Sequence, residues 1–239
     1  MKKDLQEITR RARSEALIRK IPFLACLNDA ESDVIRGLIV ERQFLKNQAI
    51  LHEEDTSNYL YFIFTGKVKV TQVSADGRER ILAVHKKGDF FGEMAILDGK
   101  TAPATVTAIE DTKIGLVSRD VFHRLLLDHN KVLREIIVLL CGRLREAWSM
   151  TKVMRFADAE HRIRAVLQYM AEQFGVQEAG GIRIDLKLTH SDMGSFAALT
   201  RETATRMLRR LEKAGEIEIT GQKHILLKPA FYENTGPPG

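Results

Sequence analysis

The chain has 239 residues, 44% of them hydrophobic and 29% charged, which is long for one average domain and comfortable for two. No apolar run approaches the roughly 18–20 residues that span a bilayer. The first twenty residues are polar and lack an apolar signal-peptide core, so a cytoplasmic protein with no membrane partner is expected. The net charge of +5 permits a polyanionic partner without demanding one. Cys26 and Cys141 are the only cysteines and lie far apart. That spacing excludes a disulfide scaffold and argues against a Cys-based zinc or iron–sulfur site, leaving each expected as a small buried hydrophobe.

Residues 1–40 carry helical periodicity. Leu17, Ile18, Ile21 and Phe23 precede a break, and Asn28-Asp29-Ala30-Glu31 then opens a helix carrying Val34, Ile35, Leu38 and Ile39 on one stripe. From about Phe44 to Ser118 the period changes to two. Tyr59, Tyr61 and Ile63 alternate with Leu60, Phe62 and Phe64, a strand with both faces buried, and turn signals recur at Gly66, Asp76-Gly77, Gly88-Asp89 and Asp98-Gly99. Short strands separated by turns at roughly ten-residue intervals predict a sandwich or barrel-like unit. His52-Glu53-Glu54-Asp55 has no metal-motif spacing and reads as a solvated turn.

Arg119-Asp120 opens a short helical piece, and a long helix follows to about Arg155. Ile137, Leu140, Leu144, Ala147, Thr151 and Met154 are spaced 3, 4, 3, 4, 3 along it, a heptad seam that predicts self-pairing of two chains. A helix over about 158–174 and a Gly-containing connector come next. The domain boundary is placed at Arg155, giving a sensor domain over 1–155, with its central helix over about 121–155, and a second domain over 156–239. The last residues, from Glu233 to Gly239, resemble a frayed tail.

The stretch from Leu188 to Lys228 is the most informative. Thr189 and Ser191 can cap a helix over Asp192–Ala198, and Thr200 can cap a second over Arg201 to about Ala214, stopped by Gly215. Two β-prone segments flank Gly221, as in a wing hairpin. At about 100° per residue, Ala204, Met207, Leu208 and Leu211 share one face of the second helix. Glu202, Thr205, Arg206 and Arg209 cluster away from it, with Arg201 at the edge of the first turn. One face can pack on a partner helix while the other presents long polar side chains, as a recognition helix does in the major groove of double-stranded DNA. Arg suits guanine O6 and N7, and Glu can accept from cytosine N4.

These residues resemble the CRP/FNR family of bacterial regulators, and the resemblance runs from about Phe23 to Lys228. The family's recognition-helix pattern, [ST]-R-E-T-x-x-R, stands here as Thr200-Arg201-Glu202-Thr203-Ala204-Thr205-Arg206. The resemblance implies that Arg201, Glu202 and Arg206 read bases. Helix caps and Lys223 in the wing are expected to meet phosphates. It also implies an α+β fold: an N-terminal cyclic-nucleotide-binding-like β-roll (jelly roll), a long central dimerisation helix and a C-terminal winged helix-turn-helix. A homodimer and contact with RNA polymerase are implied too. Ala198 stands where the family usually has Gly in the turn, at little cost if that turn avoids positive φ.

In the β-roll, Gly88-Asp89-Phe90-Phe91-Gly92-Glu93-Met94-Ala95 resembles the start of the family's phosphate-binding cassette and Ala104-Thr105-Val106 its end. This places an effector pocket among Gly92, Glu93, Met94, Ala102, Pro103, Ala104 and Thr105, with Ala147 and Trp148 on the central helix. Cyclic-nucleotide binders carry an Arg there that pairs with the cyclic phosphate, and Ala102-Pro103 occupies its place. A buried phosphodiester without that partner loses a bidentate contact worth on the order of 3–5 kcal/mol. Lys100 lacks the planar fork needed to replace it. Ala147-Trp148 stands where the nucleotide-binding relatives use a Thr-Ser pair on adenine. Cyclic AMP bound in the usual way is therefore not expected.

The cysteine cluster of the oxygen-sensing relatives is absent, so an iron–sulfur cluster is not expected. Haem would need a ligand such as His85, His123 or His129, each read as an ordinary surface or core residue. With no P-loop, nucleophile–base pair or metal motif, an enzyme is not expected. A regulatory subunit that binds cyclic nucleotides and acts through protein contacts is the alternative the β-roll alone allows, and the C-terminal motif argues against it. The kept Glu93 loop and the lost Arg fit either a pocket remodelled for another small molecule or a vestigial one.

Overall fold

Helix α1 (Asp29–Leu38) begins at a capping box. The Asn28 side chain accepts from the Glu31 amide and the Glu31 carboxylate accepts from the Asn28 amide, both at 2.9 Å, which satisfies two otherwise orphaned donors. The computed structural model describes residues 21, 24–74, 77–124, 129–220 and 224–233. The expected helix over the first twenty residues, Phe23, and the wing residues Gly221 and Lys223 lie outside them. The chain divides into two compact units, one comprising residues up to Val73 and Ile81–Leu144, the other Ser74–Arg80 and Arg145 onward.

The first unit continues through β1 (Val40–Phe44), β2 (Ala49–Leu51), β3 (Tyr59–Thr65), β4 (Lys67–Val73), β5 (Glu79–Lys86) and β6 (Phe90–Phe91). Helix α2 (Glu93–Asp98), β7 (Thr105–Ala108), β8 (Thr112–Ser118) and α3 (Arg119–Phe122) follow. The strands form two four-stranded sheets, ordered β1-β8-β3-β6 and β2-β7-β4-β5. Alternation along β3 sorts its side chains into two cores. Tyr61 and Ile63 join Leu51, Val68, Val106 and Ile114, while Leu60, Phe62 and Phe64 join Ile35, Ile96, Phe122 and the first turns of the long helix. Gly115 in β8 makes room for this packing, because a Cβ there would stand 2.5 Å from the Phe64 ring.

The long helix α4 (Asn130–Arg155) leaves its two faces differently covered. Val132 and Ile136 are buried in the first unit's core, whereas Ile137 is 61% and Leu144 49% exposed. Ala147, Thr151 and Met154, further along the expected seam, are exposed as well, and Leu140 is half-buried. Both cysteines are exposed, which corrects the expectation that they are buried. Cys141 lies on α4 outside the buried Val132–Ile136 stripe, and Cys26 lies in the turns before α1.

The second unit contains α5 (Ala159–Phe174), β9 (Gly175–Glu178), β10 (Gly181–Ile184), α6 (His190–Ala197), α7 (Arg201–Lys213), β11 (Ile217–Ile219), β12 (Ile225–Leu227) and α8 (Pro229–Glu233). Ile163, Val166, Leu167 and Met170 of α5 are fully buried, as are Met193, Ala197, Ala204, Leu208 and Leu211 of α6 and α7. The expected connector after α5 is a β-hairpin. β9 pairs with β10, and β10 pairs with β12 to complete a four-stranded sheet ordered β11-β12-β10-β9. Gly180-Gly181 between alternating Val176-Gln177-Glu178 and Ile182-Arg183-Ile184 was the available hairpin signal.

The turn between α6 and α7 is tight. Leu199 donates its amide to the Gly194 carbonyl at 2.8 Å, and a Cβ on Gly194 would stand 2.9 Å from the Leu199 oxygen, so a side chain at 194 would force the two helices apart. Ala198 caps α6 in the left-handed region, at φ 53° and ψ 42°. The condition for a cheap alanine is therefore not met, and the methyl group carries strain. Ala198→Gly is expected to raise stability by a net of about 0.5–1 kcal/mol, strain relief exceeding the added unfolded-state entropy. Urea denaturation midpoints at neutral pH check this.

Candidate nucleic-acid interface and effector pocket

Thr200 caps α7, its hydroxyl accepting from the Thr203 amide at 3.2 Å, and Thr189 caps α6 in a capping box with Asp192. Ser191 sits one residue inside α6 and is exposed. The four buried residues of α7, Ala204, Met207, Leu208 and Leu211, are those the wheel assigned to its packing face. Opposite them, Arg201, Glu202, Thr205, Arg206, Arg209, Arg210 and Lys213 line one open, concave surface. The side chains of Arg201, Glu202, Arg206 and Arg209 are exposed. Thr205 is used differently: its hydroxyl donates to the Arg201 carbonyl at 2.8 Å and meets His190 Nδ1 at 3.0 Å. That contact ties α6 to α7 and leaves Thr205 half-buried.

A polar network behind α7 had no signal in the sequence. Glu216 is 4% exposed and is held by a two-pronged ion pair with Arg164 of α5, one contact of which measures 2.9 Å. Arg164 also pairs with Glu160 at 2.9 Å, and Glu160 reaches Arg210 of α7 at 3.0 Å. The Glu216 hydrogen bond, foremost, keeps the Arg164 pKa above its usual value. A carboxylate so buried is tolerable only with such a partner, and the chain of charges fixes α7 against α5 and the start of β11.

The β-roll holds a partly open cavity of about 80 Å³ lined by the expected cassette residues Gly92, Glu93, Met94, Ala102, Pro103 and Ala104. His85 and Arg143, which the sequence reading did not place there, line it as well. Gly92 enters α2 at φ 86°, and a Cβ on it would stand 2.8 Å from the Tyr59 carbonyl, so only glycine fits. Thr105 flanks the cavity and accepts from the Glu53 amide at 3.0 Å. Lys100 is exposed. Ala147 and Trp148 are exposed on the part of α4 that belongs to the second unit. Arg119 supports the cassette from α3, donating to the Ala95 carbonyl at 2.7 Å.

Glu93 is 4% exposed and forms an ion pair with Arg143, which also donates to the Phe90 carbonyl and lies 4.8 Å from the Phe90 ring centre. Burial first, then the Arg143 charge, holds His85 neutral with its pKa pushed down to about 3. Asp89 lies 3.9 Å from it. Among the described residues no cluster of His, Cys, Asp and Glu is arranged to hold a metal ion, and no helix is long and apolar enough to cross a membrane.

A β-roll with a cassette-lined cavity, a long helix and a capped helix-turn-helix with its wing define a DNA-binding transcription regulator. Comparison with known proteins agrees at both ends of the chain. Residues 41–129 match the cyclic nucleotide-binding domain and residues 161–230 the Crp-like helix-turn-helix domain. The CRP-like cAMP-activated global transcriptional regulator of Mycobacterium tuberculosis is 27% identical, over 77% of this chain and 82% of its own. The cyclic AMP receptor protein of Thermus thermophilus is 27% identical over 83% and 88%. Among solved structures, FixK2 from Bradyrhizobium japonicum superposes with a TM-score of 0.73 at 26% identity, covering 84% of this chain and 99% of that one. The chain belongs to the CRP/FNR family of regulators.

His85 gives a pH signature. Its usual pKa is near 6.5 and it falls to about 3 in the folded chain, so between those values the unfolded state binds more protons. Stability should fall as pH is lowered from neutrality through that window. Asp89, whose carboxyl burial pushes up, acts with the opposite sign, so the histidine is isolated by comparing the parent chain with a variant lacking it at pH 7 and pH 5. His85→Gln is expected to flatten the loss in denaturation midpoint between those two pH values.

Proposed function

We propose that the chain binds operator DNA as a homodimer, with Arg201 and Arg206 directed at guanine O6 and N7 and Glu202 at cytosine N4. The observation that carries this reading is the exposed face of α7. The side chains of Arg201, Glu202 and Arg206 make no hydrogen bond or ion pair among the described residues, while the opposite face is fully packed. Thr189, Ser191 and Thr200 at the two helix starts, with Lys223 in the wing, supply phosphate contacts that make binding salt-dependent. The Thr205 hydroxyl serves the α6–α7 contact first.

Dimerisation would run along α4, where Ile137, Leu140, Leu144, Ala147, Thr151 and Met154 repeat at heptad spacing and most stay exposed in the single chain. Pairing there would present two recognition helices to half-sites roughly 34 Å apart. We assign the sensor role to residues 1–155 and DNA binding to residues 156–239, place the protein in the cytoplasm and expect contact with RNA polymerase. Cyclic AMP held as in nucleotide-binding relatives is not the effector of this reading. The cassette wall carries Ala102 and Pro103, and the 80 Å³ cavity is far below the roughly 300–1,000 Å³ of ordinary ligand pockets.

Arg201→Ala and Arg206→Ala are each expected to cost about 1–3 kcal/mol of operator binding and to relax base preference at one position per half-site. Footprinting and anisotropy on a selected operator check this, and footprints identical to those of the parent chain overturn the base-reading assignment. Leu144→Glu, which places a charge in the seam, is expected to shift sedimentation equilibrium from dimer to monomer.

A further inference from the structure

We infer that Arg164 and Glu216 are positioning residues for operator reading: their buried ion pair behind α7 sets the direction of the recognition helix and so sharpens its choice of sequence. The inference rests on the DNA-binding reading above. Helix α7 ends in a turn where the Gly215 amide donates to the Glu212 carbonyl and the Glu216 amide to the Leu211 carbonyl, both at 3.0 Å. Gly215 takes φ 74° there. The residue after such a glycine ordinarily makes an apolar contact with the last turn of its helix. Here it is a nearly buried carboxylate, and both Ile217 beside it and the Leu211 it bonds are buried as well. So placed, Glu216 needs a cation, and α5 supplies Arg164.

The grip reaches α7 at two points. Arg164 takes both oxygens of Glu216, binds Glu160 one turn earlier on α5 at 2.9 Å and lies 5.7 Å from the Phe231 ring centre. The second oxygen of Glu160 meets Arg210, in the last turn of α7, at 3.0 Å. Nearer the start of α7, the Thr205–His190 contact ties it to α6. These two polar ties fix the axis of a helix whose buried face, Ala204, Met207, Leu208 and Leu211, is apolar. Apolar packing is non-directional, and apolar residues of similar volume often replace a buried ion pair without loss of stability. What the planar fork adds is a single permitted geometry. Arg201 stands one turn, about 6 Å, from the Thr205 tie, so a tilt of about 10° there moves it by about 1 Å. That is a large fraction of the tolerance of a bidentate contact with a base.

The test pairs melting temperature with fluorescence anisotropy on two DNA fragments, one selected from random sequence by the full-length protein and the other its scrambled counterpart. The double variant Arg164→Met with Glu216→Leu removes the pair, fills its space with apolar atoms and leaves the net charge unchanged. It is expected to melt at or above the parent and to bind scrambled DNA as the parent does at the same salt. Its preference for the selected fragment should fall on the order of tenfold, the size of one lost base contact. Arg164→Lys keeps the charge without the fork and is expected to lose preference in the same way when read below its melting temperature. It carries the comparison should the double variant not fold. An unchanged preference in whichever of the two folds overturns the inference. An equal loss of affinity for both fragments overturns it too, because that marks a loosened fold and no effect on reading. A parent chain that selects no DNA sequence at low salt overturns the DNA-binding reading beneath it as well.

Discussion

Strand β3 is buried on both faces, and much of the first unit follows from that one constraint. A strand has only two faces, so a run in which successive residues are all apolar must be sandwiched. Tyr61 and Ile63 require the second sheet beneath them, while Leu60, Phe62 and Phe64 require a cover on the other side. That cover is helical and includes Val132 and Ile136 of α4, so the long helix is anchored through its first turns to the strand that organises the β-roll. The same sheet carries β6, whose Phe90 and Phe91 divide between the two cores, and β6 lies within the cassette and delivers Gly92 and Glu93 to the cavity. The geometry of the pocket is thus a consequence of apolar packing, and its polar groups are placed by it.

Charge is handled in the same manner in both units. Each has a nearly buried carboxylate, Glu93 in one and Glu216 in the other, and each is met by an arginine from a helix about fifty residues distant in sequence. Arginine suits the task because its planar fork satisfies several acceptors at once. Arg143 serves Glu93 and the Phe90 carbonyl, and Arg164 serves Glu216 and Glu160. In contrast, Arg201, Arg206 and Arg209 of α7 make no ion pair among the described residues, whereas Arg210 at the far end of the same face is drawn back to Glu160.

The recognition helix was legible almost to the residue. Thr200, the apolar positions at 204, 207, 208 and 211, and Gly215 are local signals, and the observed helix runs Arg201–Lys213 with those four residues buried. The α1 cap at Asn28 and the turn glycines were legible for the same reason. The β9–β10 hairpin is only weakly signalled, by Gly180-Gly181 and a short alternation, because β9 is four residues long and exposed along its length and so carries no buried apolar face. The cysteines were misjudged because burial of a small residue depends on which side of a helix or turn meets the core. Ala198 shows a third kind of gap, since the turn's demand for positive φ comes from the close approach of α6 and α7.

The sequence alone determined the family, the order of the domains, the heptad spacing along α4 and the division of α7 into a packed and an exposed face, because each is written in spacing along a single element or in a contiguous motif. It also showed that the cassette lacks its phosphate-pairing arginine. Only the tertiary structure decided which charge meets the buried carboxylate of that cassette. Arg143 and Glu93 are 50 residues apart, and no periodicity along the chain predicts that a helix packed by Val132 and Ile136 will bring that guanidinium onto that carboxylate. Long-range pairing of charges is set by the packing of whole elements, and it becomes visible only once those elements are placed.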